Sequence, residues 1–227
     1  NRKDVMLGLI PAGSGNDFAK SIGVENDLNQ LKKCIREEKT VPTDVGLLKF
    51  YSPEGNPAER YYINISDIGI GGVVAQILDK SPKFLGPNVS YGWGIVRAFL
   101  RFKHQAVKLT YDDGEWTGKV LSLCMANGAW FGSGMGIAPN AKPVDGKMQL
   151  VVMGQVKLMD YFRNLPTIKK AKPVEHPEVH YLETKSCRIE ASGDACPIDM
   201  DGEFIGYTPV EMETRHAALK FLTPKKF

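Results

Sequence analysis

The 227-residue chain is 43% hydrophobic and 24% charged, a balance that excludes a disordered or fibrous protein and allows one large domain or two small ones with a real core. A net charge of +3 is too mild to argue for nucleic acid and permits only weak attraction to an anionic surface. Four scattered cysteines, Cys34, Cys124, Cys187 and Cys196, form no CxxC pair, which reads as reduced thiols in a cytosolic protein without a zinc site or disulfide framework.

Val5 to Ile10 is a short apolar run suited to a buried strand. It runs into Pro11-Ala12-Gly13-Ser14-Gly15-Asn16, too rich in glycine for anything but a tight turn. Asp17 to Ile22 reads as a short helix stopped by Gly23, and Asn26-Asp27 caps a second with Leu28, Leu31, Cys34 and Ile35 on one face. From Thr43 the period changes to two. Candidate strands are 44–51, 61–68, 106–111, 119–125, 147–153, 179–184, 186–191, 198–200, 210–213 and 219–222, with turn signals at Asp113-Gly114, Asp145-Gly146 and Asp201-Gly202. Helices are expected at 73–79, 91–102 and 158–170, the last kinked or ended by Pro166. Many short strands at this spacing predict a β-sandwich or barrel-like body. No apolar run approaches the roughly 20 residues that span a bilayer, and no secretory signal is visible.

Glycines after the first strand let backbone N–H groups approach an anion, and the following helix offers unpaired donors. Ser14 could add a hydroxyl, and Asp17 at the helix entrance could hold a magnesium–phosphate complex or orient a Lys. A plain strand-to-helix turn capped by Asn16 explains the same residues taken alone.

The longer string Ile10-Pro11-Ala12-Gly13-Ser14-Gly15-Asn16-Asp17-Phe18-Ala19-Lys20 resembles the second signature of the diacylglycerol kinase catalytic family, with Ser14 where Thr is commoner. The Asn64 to Gly71 segment, Asn127-Gly128 through Met135, Pro139 to Asp145-Gly146, and Asp201-Gly202-Glu203 resemble further family segments in family order, with Val144 replacing an Asp. Together they cover nearly the whole chain.

The resemblance implies an ATP-dependent lipid kinase using Mg²⁺. Its α+β fold would be a residual α/β, Rossmann-like fragment over residues 1–42, followed by a mostly antiparallel β-sandwich with a few helices over 43–227, the final residues returning to the first piece. Gly13, Ser14, Gly15 and Asn16 would bind the nucleotide, with Asp17 beside them. An Asp-Gly pair alone is hairpin chemistry. With the resemblance, Glu203 is assigned as proton acceptor and Asp201 as its close partner, the order of the two being open. The Asp145 loop would hold a structural magnesium through the Asp145 carboxylate and the carbonyls of Lys142 and Lys147, against an ion-free hairpin. His176 and His180, separated by Pro177, read as a solvated loop and not a metal pair. The helix carrying Trp93, Arg97, Phe99 and Arg101 could touch a membrane or pack on a sheet.

The family's Gly-Gly-Asp-Gly-Thr loop, which cradles nucleotide phosphates, is absent, and the chain opens at Asn1 close to the second signature. The expectation is an N-terminally truncated chain, inactive by itself, from a cytoplasmic enzyme peripheral to the membrane. Expected partners are a lipid substrate at the membrane surface and a second copy in a homodimer, with no nucleic acid. Diacylglycerol is the default acceptor, a sphingoid or other lipid alcohol the alternative, and a non-catalytic lipid-binding or regulatory module the reading from another class.

Overall fold

The computed structural model describes residues 5–13, 15–79 and 87–227. Helix α1 (Asp17–Ile22) ends where Gly23 adopts φ 68° and returns its N–H to the carbonyls of Ala19 and Lys20. Helix α2 (Leu28–Arg36) starts at Asp27, whose side chain accepts from the Asn29 N–H. Only Cys34 of its expected apolar face is buried, and Leu28 and Ile35 stay exposed. The segment before α1 is not the buried strand its composition predicts. It makes a single parallel bridge, Leu7 to Phe221, and Val5, Met6 and Ile10 remain exposed, because among the described residues it is paired along one edge only.

Strands β1 (Thr40–Tyr51), β2 (Pro57–Tyr62) and β3 (Ile65–Gly69) precede helices α3 (Ile70–Asp79) and α4 (Pro87–Arg101). Then come β4 (Gln105–Tyr111), β5 (Gly114–Val120), β6 (Ser122–Ala126) and β7 (Met148–Met153). Helix α5 (Leu158–Ile168) and strands β8 (Val179–Thr184), β9 (Ser186–Ala191), β10 (Pro197–Met200) and β11 (Glu203–Leu222) complete the chain. The strands form one antiparallel sheet in the order β5-β4-β9-β11-β10-β3-β6-β7-β8, with β1 on β11 and β2 on β1. It curls into a sandwich around a core that includes Leu48, Ile68, Leu109, Leu123, Leu150, Ile189, Ile198 and Met212. The α+β, mostly antiparallel sandwich expected from the sequence is the fold observed.

Several expectations change. The strand predicted at 61–68 breaks at Ile63 and Asn64, because the Asp201 carboxylate takes the N–H groups of Ile63, Asn64 and Ile65 away from the ladder. The strand predicted at 119–125 divides at Leu121, whose N–H turns to the carbonyls of Met153 and Gly154 and whose carbonyl accepts from Ile70. The two strands predicted at 210–213 and 219–222 belong to one 20-residue strand, β11, held by the long β1 pairing. Pro166 lies inside α5 without ending it. It falls in the last turn, where the missing N–H costs one bond to Phe162, a residue exposed to water.

One face of β3, β10, β6 and β7 packs the sandwich core. The opposite face, carrying Ile65, Cys124, Ala126 and Val151, is covered by the 127–141 segment and helices α3 and α5. Alternation puts Asp67 beside Ile65 on that covered face, and Asp199, between the core-facing Ile198 and Met200, on it too. The end of β11 meets the N-terminal segment: the Leu7 N–H donates to the Lys220 carbonyl and the Leu222 N–H to the Leu7 carbonyl, Thr223 Oγ1 donates to the Ile22 carbonyl, and Lys225 Nζ to that of Ser21.

Candidate active site

The glycine-rich turn is closed by Asn16, which adopts φ 53°. Its Oδ1 accepts from the Gly13 N–H at 3.0 Å and its Nδ2 donates to the Gly13 carbonyl at 2.7 Å. The side chain therefore ties the turn and makes no cap bond to α1. Ser14 lies outside the described residues. Asp17 accepts from the N–H groups of Ser133 and Gly134, each at 2.8 Å, and from Lys20 Nζ at 3.4 Å. Ser21 Oγ accepts from the Ala129 N–H at 3.1 Å. Gly128 has to be glycine here, since a Cβ would lie 2.3 Å from Asn64 Oδ1 and 2.7 Å from Ser21 Oγ. Helix α1 is thus docked on the 127–134 segment of the sandwich.

These elements wall a cleft of about 640 Å³ lined on one side by Gly13, Gly15, Asn16 and Asp17 and on the other by Asn64, Phe131, Asp199 and Asp201. The Asp201-Gly202 pair forms the two-residue turn between β10 and β11, both residues at positive φ (52° and 93°), as a type I′ hairpin requires. Asp201 accepts from Ile63 N at 3.0 Å and, through its other oxygen, from Asn64 N at 3.1 Å and Ile65 N at 3.0 Å. Burial raises its pKa, as does Glu203, against those three donors. Glu203 stands on the solvent side of the turn, 69% exposed and 3.4 Å from Arg60, and does not line the cleft.

Sequence reasoning passed over two buried carboxylates. Asp67 and Asp199 are opposed across the β3–β10 ladder and are 2% and 1% exposed. Ser122 Oγ donates to Asp67 Oδ2 at 2.6 Å. Burial pushes the Asp67 carboxyl up to about 6, against the Ser122 hydroxyl and the nearby N–H groups of Gly71 and Gly72. Neither oxygen of Asp199 has a hydrogen-bond partner. Its pKa is raised by burial, then by the charges of Asp67 and Asp201, against the backbone N–H groups of Gly202 and Met200, which lower it. The sequence signal was the period-two pattern itself, which puts an Asp at a covered position of each strand.

Asp67 also lines a second, apolar cavity of about 110 Å³ between the sheet and helices α3, α4 and α5, walled by Ile95, Phe99, Met135, Tyr161 and Val179 among others. Gly71, Val74 and Phe131 line both the cleft and this cavity.

The Asp145 loop lies apart, and none of Asp145, Lys142 and Lys147 lines the cleft. Asp145 Oδ1 accepts from the Lys147 N–H at 3.1 Å, and Lys147 Nζ pairs with Glu183 at 3.1 Å. Partial burial raises the Asp145 pKa, helped by Asp44 and Glu183. Behind it, fully buried Asp44 accepts from Gly146 N, Ala217 N and His216 Nδ1, each at 2.7 Å. Among the described residues no three His, Cys, Asp or Glu side chains gather as a metal site. His176 Nδ1 accepts from the Glu178 N–H, and His180 packs on Trp116. No helix among those residues is long and apolar enough to cross a membrane. In α4, Phe99 packs on Tyr161, and the Trp93 side chain lies outside the described set.

Residues 65–223 match the family described as the YegS C-terminal NAD kinase beta sandwich-like domain, and residues 1–48 match the diacylglycerol kinase catalytic domain. A diacylglycerol kinase of Staphylococcus carnosus (strain TM300) is 24% identical over 220 residues, 96% of this chain and 68% of the relative. A YegS-like lipid kinase of Chromohalobacter salexigens is 29% identical over 208 residues, 87% of this chain and 60% of the relative. The crystal structure of a diacylglycerol kinase from Bacillus anthracis str. Sterne shares the fold, with a TM-score of 0.65 at 20% identity over 96% of this chain and 66% of that one. The chain therefore spans about two thirds of the length of these relatives. With a match across most of its length and the fold to go with it, the chain belongs to the YegS-type lipid kinase family and carries its NAD kinase-like β-sandwich domain.

Proposed function

We propose that the protein carrying this chain transfers the γ-phosphoryl group of ATP to the hydroxyl of a membrane lipid, with diacylglycerol as acceptor and phosphatidate as product. The observation that carries the reading is the shared wall of Gly71, Val74 and Phe131, which sets the cleft that holds the glycine-rich turn, Asp17 and Asp201 beside a smaller apolar cavity. An acceptor with a hydroxyl at one end and an alkyl chain at the other suits that pairing. A dry cavity of about 150 Å³ accommodates benzene, so 110 Å³ takes the first carbons of a chain. Leu100, Met159 and Phe162 are exposed on α4 and α5, the helices that cover the cavity, which supports access from a bilayer surface.

In this reading Gly13, Ser14, Gly15 and Asn16 form the nucleotide side of the cleft, and Asp17 fixes that side against the 132–134 loop. The β10–β11 turn supplies the acceptor side through Asp201, with Glu203 just outside the cleft. A magnesium ion on the nucleotide would neutralise phosphate charge. The reading also puts a structural magnesium at the Asp145 loop, where Asp145 is partly buried and Asp44 and Glu183 add negative charge. Asp145 with the Lys142 and Lys147 carbonyls would hold it through oxygen ligands.

The test is incubation of the protein at its full natural length with γ-labelled ATP and detergent-dispersed diacylglycerol, monoacylglycerol or sphingoid base. Label is expected in the organic-extractable lipid, most with diacylglycerol. Label confined to ATP or inorganic phosphate with every lipid overturns the reading.

A further inference from the structure

Helix α5 covers the apolar cavity with one side only. Tyr161, Leu165 and Ile168 pack inward on the cluster around Ile95 and Ala98, and Phe99 of α4 meets Tyr161 with ring centroids 5.9 Å apart. The other side carries Met159, Phe162, Arg163, Pro166, Lys169 and Lys170, which recur at helical spacing and are all exposed. Met159 is 73% and Phe162 47% exposed, and Leu100, 77% exposed, stands beside the exposed Arg101 at the end of α4.

The charge on this side is of one sign. Residues 157–172 hold five cations, Lys157, Arg163, Lys169, Lys170 and Lys172, and one carboxylate, Asp160. That net charge of +4 exceeds the +3 of the whole chain, so the remainder is slightly acidic. Asp160 is engaged inward, accepting from the Lys157 N–H at 3.0 Å and lining the apolar cavity. On the sandwich Lys108, Lys147, Arg188 and Arg215 each pair with a glutamate, whereas among the described residues Arg163, Lys169, Lys170 and Lys172 pair with no carboxylate. Unpaired cations around exposed apolar side chains match a surface that is anionic outside and apolar just beneath. A second copy of the chain matches it poorly, since a two-fold interface would set these cations against themselves.

Resting on the lipid kinase reading above, we propose that the outer side of α5, with the end of α4, is the face by which this protein docks on an anionic bilayer. Met159 and Phe162 enter the acyl boundary, and Arg163, Lys169, Lys170 and Lys172 meet lipid phosphates at the headgroup level. Tyr161, Asn164 and Ile168 on the inner side of the same helix line the cavity. Docking therefore leaves about one helix diameter, roughly 10 Å, between bilayer and cavity, which shortens the path of a chain-bearing acceptor.

The experiment is co-sedimentation of the full-length protein, without ATP or acceptor, with vesicles of phosphatidylcholine alone or of equal parts phosphatidylcholine and phosphatidylglycerol. Wild type should bind the mixed vesicles, leave the neutral ones, and be released by salt. Each Lys or Arg near an anionic surface is worth roughly fivefold in partitioning, so Arg163→Gln/Lys169→Gln/Lys170→Gln should bind about 100-fold more weakly. Lys119→Gln/Lys185→Gln/Lys220→Gln makes the same charge change at exposed positions of the sandwich and should bind as wild type does. Met159→Ser/Phe162→Ser should also lose binding, with an unchanged melting temperature because both side chains are exposed. Wild type that stays in solution with mixed vesicles, full binding by the α5 triple variant, or equal losses in the two triple variants each overturns the docking face. A wild-type dimer that Met159→Ser/Phe162→Ser splits gives the face to a second copy and overturns it as well. No turnover is read in these assays, so those outcomes leave the lipid kinase reading standing. A wild type that phosphorylates no lipid alcohol in neutral detergent micelles overturns that reading instead.

Discussion

Asp17 and Ser133 are 116 positions apart in the chain, and the carboxylate of the first accepts the backbone N–H of the second at 2.8 Å, with Gly134 N–H on its other oxygen. Asp17 thus clamps the glycine-rich turn to the sandwich. Asp17→Ala leaves two backbone donors without their acceptor, which costs about 1–3 kcal/mol when such groups stay shielded. Urea unfolding should show that loss, and hydrogen exchange should show faster turnover of the Ser133 and Gly134 amides.

Asp44 is a second such clamp. Buried at the start of β1, it gathers Gly146, His216 and Ala217 from two distant segments. Asp44→Ala should destabilise by roughly 3 kcal/mol, the scale for removing one partner of a buried charged network. Chemical denaturation measures it, and a loss under 1 kcal/mol would show that the three donors find other acceptors.

Asp67 ties stability to pH in a direction opposite to an ordinary salt-bridged carboxylate. Its folded pKa, about 6, lies above the ordinary carboxylate range. The folded state therefore holds this proton more tightly than the unfolded chain. The contribution is most favourable below the unfolded value and is lost as pH rises through about 6. Asp67→Asn should flatten the fall in stability between pH 4 and 7 by as much as a few kcal/mol. Thermal melts of both proteins across that window read the difference. An unchanged pH slope would place the titration elsewhere among Asp199, Asp201 and the groups across the cavity.

Helix α3 approaches the sheet so closely that a Cβ on Gly71 would lie 2.2 Å from Asp67 Oδ1. Gly71→Ala should cost about 1–3 kcal/mol, the scale of overpacking, and disturb cleft and cavity together because Gly71 lines both. The check is a stability measurement paired with the KM for the lipid acceptor.

Much of this was legible from residue types. Gly23 marked the end of α1, Asp27 the start of α2, and Asp201-Gly202 a two-residue turn, since each carries its signal within a few positions. The breaks at Ile63 and Leu121 were not legible, because their cause lies far along the chain: a carboxylate 138 positions away for Ile63, and the Met153–Gly154 corner for Leu121. The same holds in the candidate site. The Gly13–Asn16 turn and the Asp201–Glu203 turn stand out as motifs. Asp67 and Asp199 are single residues within strands, and only the β3–β10 register makes them a pair. That Asp201 is engaged while Asp199 is not follows from hydrogen bonds that no local pattern encodes.

The central claim is that the acceptor presents a hydroxyl to the cleft and a chain to the cavity beyond Val74. Its most direct test is kcat/KM for a series of alcohols from glycerol through glycerides of increasing acyl length, for the full-length protein and for Val74→Trp, with NAD as a non-lipid acceptor. The account predicts a steep rise with the first carbons of the chain, a loss of that rise in Val74→Trp, and no turnover of glycerol or NAD. Equal turnover of glycerol, NAD and the long-chain glycerides would contradict it.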